Sequence, residues 1–127
     1  MEKLKKFDIV MAKLARETKG SVQSKIRPYV VVSNTKGCEH SSIVTVMALT
    51  SNIKKTHLPV HAACIKPNKV NGLSKTSMAL GEMIQTISKD DEIICKLGYV
   101  DNEQERKDIN KALINAFFYG EQERTVV

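Results

Sequence analysis

The sequence predicts a mainly β domain with helices, α+β in class: a small, strongly bent sheet or barrel with one terminal amphipathic helix packed on it. Three observations carry this. Short apolar runs rich in Val and Ile recur between clusters of Gly, Pro, Asn and Lys. Helical spacing of apolar residues is clear only after Asp101. A length of 127 residues fits one core, so residues 1–127 are read as one domain.

Phe7 to Leu14 reads as a first strand, with Ile9 and Met11 on one face and Val10, Ala12 and Leu14 on the other. Ala15 to Ile26 is too polar to continue it. Pro28 holds Arg27 extended, which presents the guanidinium at the entrance of a strand, Tyr29 to Ser33, apolar on both faces. Asn34 to Gly37 reads as a turn and Cys38 to Ser42 as a loop. Ile43 to Leu49 is the next strand and delivers Thr50 and Ser51 at its end. Leu58 to Ile65 returns as an edge strand marked by Pro59. After a Lys-rich loop, Ser77 to Leu80 is a strand that Glu82 to Ile87 extends past a bend at Gly81. Asp90 to Ile93 reads as one helical turn before a short strand, Cys95 to Val100. Asp101 caps the last helix, Gln104 completes a capping-box pattern, and Ile109, Ala112, Leu113, Ala116 and Phe117 form its apolar stripe up to Gly120.

Composition narrows the function. No apolar run approaches the roughly 20 residues needed to span a bilayer, and the basic N-terminus lacks a secretory core; a cytoplasmic protein without membrane partners is expected. Three cysteines in unpaired spacing suit a reducing compartment, Cys64 and Cys95 as core residues and Cys38 as an exposed one. Residues 1–81 hold 14 Lys/Arg against 4 Asp/Glu, and residues 82–127 hold 6 against 10. The basic half suits a polyanion such as nucleic acid, or serves only solubility.

If the strands around Tyr29 and Ile43 pair antiparallel, Arg27 and Thr50 fall at one end of the sheet. A guanidinium matches phosphate oxygens with a planar fork of donors, and a hydroxyl can add another. Together they would hold a phosphodiester and the charge that builds on it, with Ser21, Gln23 and Lys25 nearby. The bland alternative is a structural ion pair for Arg27 and a strand-end backbone bond for Thr50. Lys25, Lys54 and Lys55 flank this place, and Glu82 either serves as a base or pairs with Arg27. No CxxC, HExxH or phosphate-cradling glycine motif is present, and His57 and His61 around Pro59 do not make a metal site. Neither metal nor cofactor is expected.

These residues in this order resemble the MazF/PemK toxins of bacterial toxin–antitoxin modules. The likeness is carried by Asp8-Ile9-Val10, by Gly20 to Gln23 leading to Ile26-Arg27-Pro28-Tyr29 and on to Asn34, and by Ala48-Leu49-Thr50-Ser51-Asn52. It continues through Leu58 to His61, Gly72 to Ser77, Glu82 to Ile87 and the terminal helix. The resemblance implies an SH3-like, PemK-type small β-barrel, usually a homodimer, that cuts single-stranded RNA at selected sequences without a metal. It implies Arg27 and Thr50 as catalytic residues; Ser21, Gln23, Lys25, Ser51, Lys54 and Glu82, near them by the reading of the residues, are expected as RNA contacts. The ribose 2′-hydroxyl would attack the adjacent phosphate, leaving a 2′,3′-cyclic phosphate and a 5′-hydroxyl. An acidic MazE-like antitoxin would bind the same basic face.

The chain departs from the family at Phe7 (usually Gly), at Val22 (often Glu), at Ser24-Lys25 (usually small residues) and at Gln85 (frequently Arg). Loss of the carboxylate at Val22 leaves Glu82 as the base to consider. Two alternatives stay open from the residues: a basic barrel that binds RNA without cutting it, and a gyrase poison like the CcdB toxins. The second is disfavoured by the polar, Trp-free end from Gly120 to Val127.

Overall fold

The computed structural model describes residues 3–15, 26–52 and 62–118. Ser21, Gln23, Lys25, Lys54, His57 and His61, together with Pro59 and Gly120, lie outside the described residues. Within them the chain runs β1 (Asp8–Lys13), β2 (Ile26–Val31), α1 (Thr35–His40), β3 (Ile43–Thr50), β4 (Ala62–Ile65), β5 (Ser77–Ser88), β6 (Ile93–Tyr99) and α2 (Glu103–Phe118). All strand pairs are antiparallel, in the order β4-β5-β3-β2-β1-β6. The sheet stays open: β4 and β6 are its edges. The architecture is thus mainly β with helices, as expected, without the closed barrel.

Alternation along the strands divides the core between the two faces. Val10, Ala12, Tyr29, Val31, Val44, Val46 and Ala48 bury on one face with Leu4, Leu14 and Cys38. Ile9, Val30, Val32, Met47 and Leu49 bury on the other, where Ile109 and Ala112 of α2 meet them. Helix α2 packs on β4 and β5. The sheet bends where Met47 pairs with Ile84 but Ala48 with Leu80, leaving Gly81, Glu82 and Met83 as a bulge. The bend read at Gly81 is this bulge.

Several local expectations are corrected. Strand β2 starts at Ile26 rather than Tyr29. Pro28 lies opposite Met11 of β1, and the β3 ladder begins only at Tyr29, so the missing N–H interrupts nothing on that side. The stretch from Thr35 to His40 is helical rather than turn and loop, because Asn34 caps it: its Oδ1 accepts the Gly37 N–H at 2.8 Å. The turn expected to be helical before β6 is held instead by Glu92, whose buried carboxylate accepts the N–H groups of Ser88 (2.8 Å) and Ala15 (2.9 Å). Asn102, not Asp101, caps α2, accepting the Glu105 N–H at 2.9 Å. The stripe of α2 buries at Ile109 and Ala112, but Phe117 remains 63% exposed.

The cysteines reverse their expected places. Cys64 and Cys95 are exposed because they lie on the two edge strands, each of which keeps a solvent side. Cys38 is buried under α1, its thiol donating to the Ser33 carbonyl at 3.6 Å. Burial pushes its pKa up, against the pull of the Lys89 ammonium. An aromatic disulfide reagent should therefore label Cys64 and Cys95 in the native protein and Cys38 only after unfolding. Prompt native labelling of Cys38, read by mass spectrometry, would contradict its burial.

Phe7 explains one departure noted in the sequence. Its φ of 78° is the left-handed backbone that favours glycine. The conformation costs about 1–2 kcal/mol. Burial of the ring offsets that cost, and the Lys6 ammonium and Arg106 guanidinium lie 5.2 and 5.0 Å from its centroid. Asp8 beside it is buried, accepting the Lys5 N–H at 2.8 Å and pairing with Lys96 at 3.4 Å.

Candidate active site

Antiparallel pairing of β2 and β3 brings the two singled-out residues to one end of the sheet. Tyr29 lies opposite Ala48 and Val31 opposite Val46. Continued two residues outward, that register sets Arg27 level with Thr50. Ala12 lies beside Arg27 on β1, and Met78 beside Thr50 on β5. Arg27 and Thr50 of this row line a cleft of about 760 Å³.

One wall belongs to the strand ends and holds Arg27, Pro28, Leu49, Thr50, Ser51 and Asn52. The Thr50 hydroxyl oxygen accepts the Asn52 N–H at 3.1 Å. That bond turns the chain after β3 and fixes the hydroxyl, whose own proton is still available to a ligand. The bland reading of Thr50 as a strand-end hydroxyl is therefore true, yet it leaves the donor free for chemistry. Arg27 is half-buried, and among the described residues it has no carboxylate partner. The salt bridge weighed between Glu82 and Arg27 is absent.

A second part of the lining comes from the loop before β5, with Gly72, Leu73, Ser74 and Lys75, and from Ser77 at the start of β5. The loop's shape comes from two asparagines. Asn71 is fully buried; its Oδ1 accepts the N–H groups of Asn68 (3.1 Å) and Leu73 (2.9 Å), and its Nδ2 donates to the Lys66 carbonyl at 2.8 Å. Asn68 Oδ1 accepts from Val70 and Asn71, and its amide donates to Asp101 at 3.1 Å. Gly72 has a φ of +73°, and a Cβ there would stand 2.6 Å from the Leu97 carbonyl oxygen. Only glycine lets the loop lie so close to β6. Asn71→Ala would leave three partners unpaired and should cost about 2–4 kcal/mol. A denaturant midpoint unchanged from wild type would contradict that role.

Met11, Ala48, Leu80, Met83 and Leu97 complete the lining. Arg27 and Lys75 are its cations, and no Asp or Glu lines it among the described residues. Such a cleft binds an anion against an apolar floor, and its volume suits a ligand larger than a lone phosphate. Ser51 is in the cleft, whereas Glu82 is exposed within the bulge and is not a lining residue; its neighbour Met83 is. Lys75, Ser74 and Asn52 were not singled out from the sequence. A lysine in a Lys-rich loop reads as solvated, and only the folded loop brings it to the cleft. Among the described residues no three His, Cys, Asp or Glu side chains converge as metal ligands, and no helix is long and apolar enough to cross a membrane.

Comparison with known proteins gives these features a family. The model for the PemK-like, MazF-like toxin of type II toxin–antitoxin systems matches residues 5–117. The chain belongs to this PemK/MazF toxin family. A relative in Staphylococcus saprophyticus, named Endoribonuclease MazF, is 34% identical over 110 residues, spanning 87% of this chain and 88% of its own. Among solved structures, an endoribonuclease with its cognate antitoxin from a mycobacterial species superposes with a TM-score of 0.70 at 22% identity, covering 89% of this chain and 93% of that one. The Mycobacterium tuberculosis toxin MazF-mt6 gives 0.66 at 24%, covering 87% and 95%. These structures show the MazF fold. Of the readings weighed from the sequence, the family match favours the PemK/MazF one over the gyrase poison.

Proposed function

We propose that this MazF-family toxin is an endoribonuclease that cuts single-stranded RNA in the cleft between β2, β3 and the loop before β5, without a metal. The observation that carries the reading is the Arg27 guanidinium, which among the described residues has no carboxylate partner, level with Thr50 in a cleft whose described lining holds two cations and no carboxylate. Single strands expose the bases that a protein can read, and the apolar floor of Met11, Leu80, Met83 and Leu97 offers them a surface.

In this mechanism the scissile phosphodiester lies on Arg27. The 2′-oxygen forms a bond to phosphorus, the bond from phosphorus to O5′ breaks, and the products are a 2′,3′-cyclic phosphate and a 5′-hydroxyl. Arg27 and Thr50 donate hydrogen bonds to the phosphoryl oxygens as negative charge accumulates there. They act on charge, since neither is a base at neutral pH. Glu82, one residue from the cleft-lining Met83, is the carboxylate we assign to accept the 2′-hydroxyl proton, and O5′ leaves with a proton from solvent. Ser51 contacts the strand beside Thr50, and Ser21, Gln23, Lys25 and Lys54 supply further RNA contacts. We place the protein in the cytoplasm as a homodimer held in check by an acidic antitoxin on the basic half of the chain. The mycobacterial neighbour described with its cognate antitoxin supports that partner.

Incubation with a long single-stranded RNA in EDTA tests this. Discrete cuts with 5′-hydroxyl ends are expected. An intact RNA that only shifts on a gel would overturn the catalytic reading in favour of a binding module.

A further inference from the structure

Of the lysines at Lys66, Lys69 and Lys75, all on the loop before β5, only Lys75 lines the cleft. We propose that Lys75 binds a second backbone phosphate of the RNA, adjacent to the one on Arg27, so that the strand is clamped between the two walls. The proposal rests on the nuclease reading of the cleft and adds to it a residue that sets where the strand lies.

Three features support it. Arg27 lies on β2 and Lys75 on the loop before β5, two separate elements that line one cleft, so one phosphate on Arg27 leaves the second cation for another. Among the described residues Lys75 has no carboxylate partner, and the residue is exposed where it lines the cleft. Its backbone is also fixed in advance. Asn71 and Asn68 hold the loop from Lys66 to Leu73 by six hydrogen bonds of 2.7 to 3.1 Å. The buried Ser77 hydroxyl donates to the Lys75 carbonyl at 3.0 Å. A cation delivered by an ordered backbone loses less freedom on binding than one on a loose loop. Ser74 beside it offers a hydroxyl to the same phosphate.

The contact is made alike to ground state and transition state, because this phosphate does not react. Lys75 should therefore govern binding and leave the chemical step alone.

The test uses the full chain and an oligoribonucleotide bearing its mapped cut site. A 2′-deoxy residue at the nucleophilic position prevents cleavage while affinity is measured across a salt series. Lys75→Gln is expected to weaken binding about tenfold, and to flatten the slope of log affinity against log salt by about 0.7, the value of one phosphate contact on a single strand. On the cleavable RNA its kcat should stay near wild type while KM rises, and Lys75→Arg should restore the affinity. Replacing the neighbouring linkage by an uncharged methylphosphonate should weaken wild type by a similar factor and leave Lys75→Gln unaffected. If Lys75→Gln binds with wild-type affinity and slope, or remains sensitive to the methylphosphonate, the clamp is wrong. Arg27→Ala run alongside separates the two claims. Lost cleavage in that variant with unchanged Lys75→Gln binding would reject only the clamp, whereas cleavage by Arg27→Ala would reject the nuclease site itself.

Discussion

Arg27→Ala should lower kcat by about 10²- to 10³-fold, the loss typical when one preorganised donor to a developing oxyanion is removed. The stability of the fold should hardly change. The side chain is half-buried and makes no ion pair among the described residues, while the backbone ladder to Ala12 on β1 does not depend on it. An effect within about 0.5 kcal/mol is therefore expected in a denaturant titration. Arg27→Lys should recover only part of the activity, since an ammonium keeps the charge and loses the planar fork. Because the proposed mechanism sets Thr50 and Arg27 on the same phosphate, the Thr50→Val loss should not add fully to that of Arg27→Ala. Cleavage within tenfold of wild type by Arg27→Ala, from protein with a normal melt, would remove the guanidinium from the mechanism.

The second large effect falls on a residue that touches no substrate. Gly98 lies in β6 beside Ile9, and a Cβ there would stand 2.0 Å from the Val70 carbonyl oxygen and 2.9 Å from the Asn71 carbonyl carbon. Both obstacles are backbone, so no rotamer change relieves them, and the loop before β5 must move. Gly98→Ala should therefore cost about 1–3 kcal/mol or more. It should also displace Ser74 and Lys75 from the cleft and lower RNA affinity. Gly37→Ala is the control: its Cβ would meet Asn34 at an ordinary 3.5 Å inside α1, and removing a mid-helix glycine should be neutral or stabilising. A Gly98→Ala protein that melts and cleaves like wild type would show that the loop yields freely, and that its fixed geometry is not needed.

Much of this was readable from local pattern, and the failures share a cause. Alternation on β1, the bend at Gly81 and the shared end of Arg27 and Thr50 follow from period-two spacing and antiparallel pairing, which are properties of short segments. An apolar run does not say whether its strand is central or an edge, nor which of its faces is covered, so it does not place Cys64 and Cys95, which lie exposed on the edge strands β4 and β6. Helix α1 is not legible locally because Asn34 serves equally as a turn residue and as a cap; in the fold its bond to the Gly37 N–H and the burial of Cys38 go with the helix. Local pattern offers Asp101 as the cap of α2, one position early; in the fold its carboxylate accepts from Asn68, 33 residues away, and Asn102 caps instead. In the cleft, Arg27 and Thr50 announce themselves by chemistry and position. Lys75 does not: its place depends on Asn71, whose side chain satisfies backbone groups that no local pattern links to a cleft.

The most direct test of the central claim replaces one atom of the substrate. An RNA with a single 2′-deoxyribose at the mapped cut, incubated in EDTA, keeps both phosphates and all bases but loses the attacking oxygen. The account predicts that this RNA binds as tightly as its parent and is not cut at that position, while the parent yields 2′,3′-cyclic phosphate and 5′-hydroxyl ends. Cleavage of the deoxy-substituted linkage at the parent's rate would mean that another nucleophile attacks, and that the cleft formed around Arg27 and Thr50 performs different chemistry.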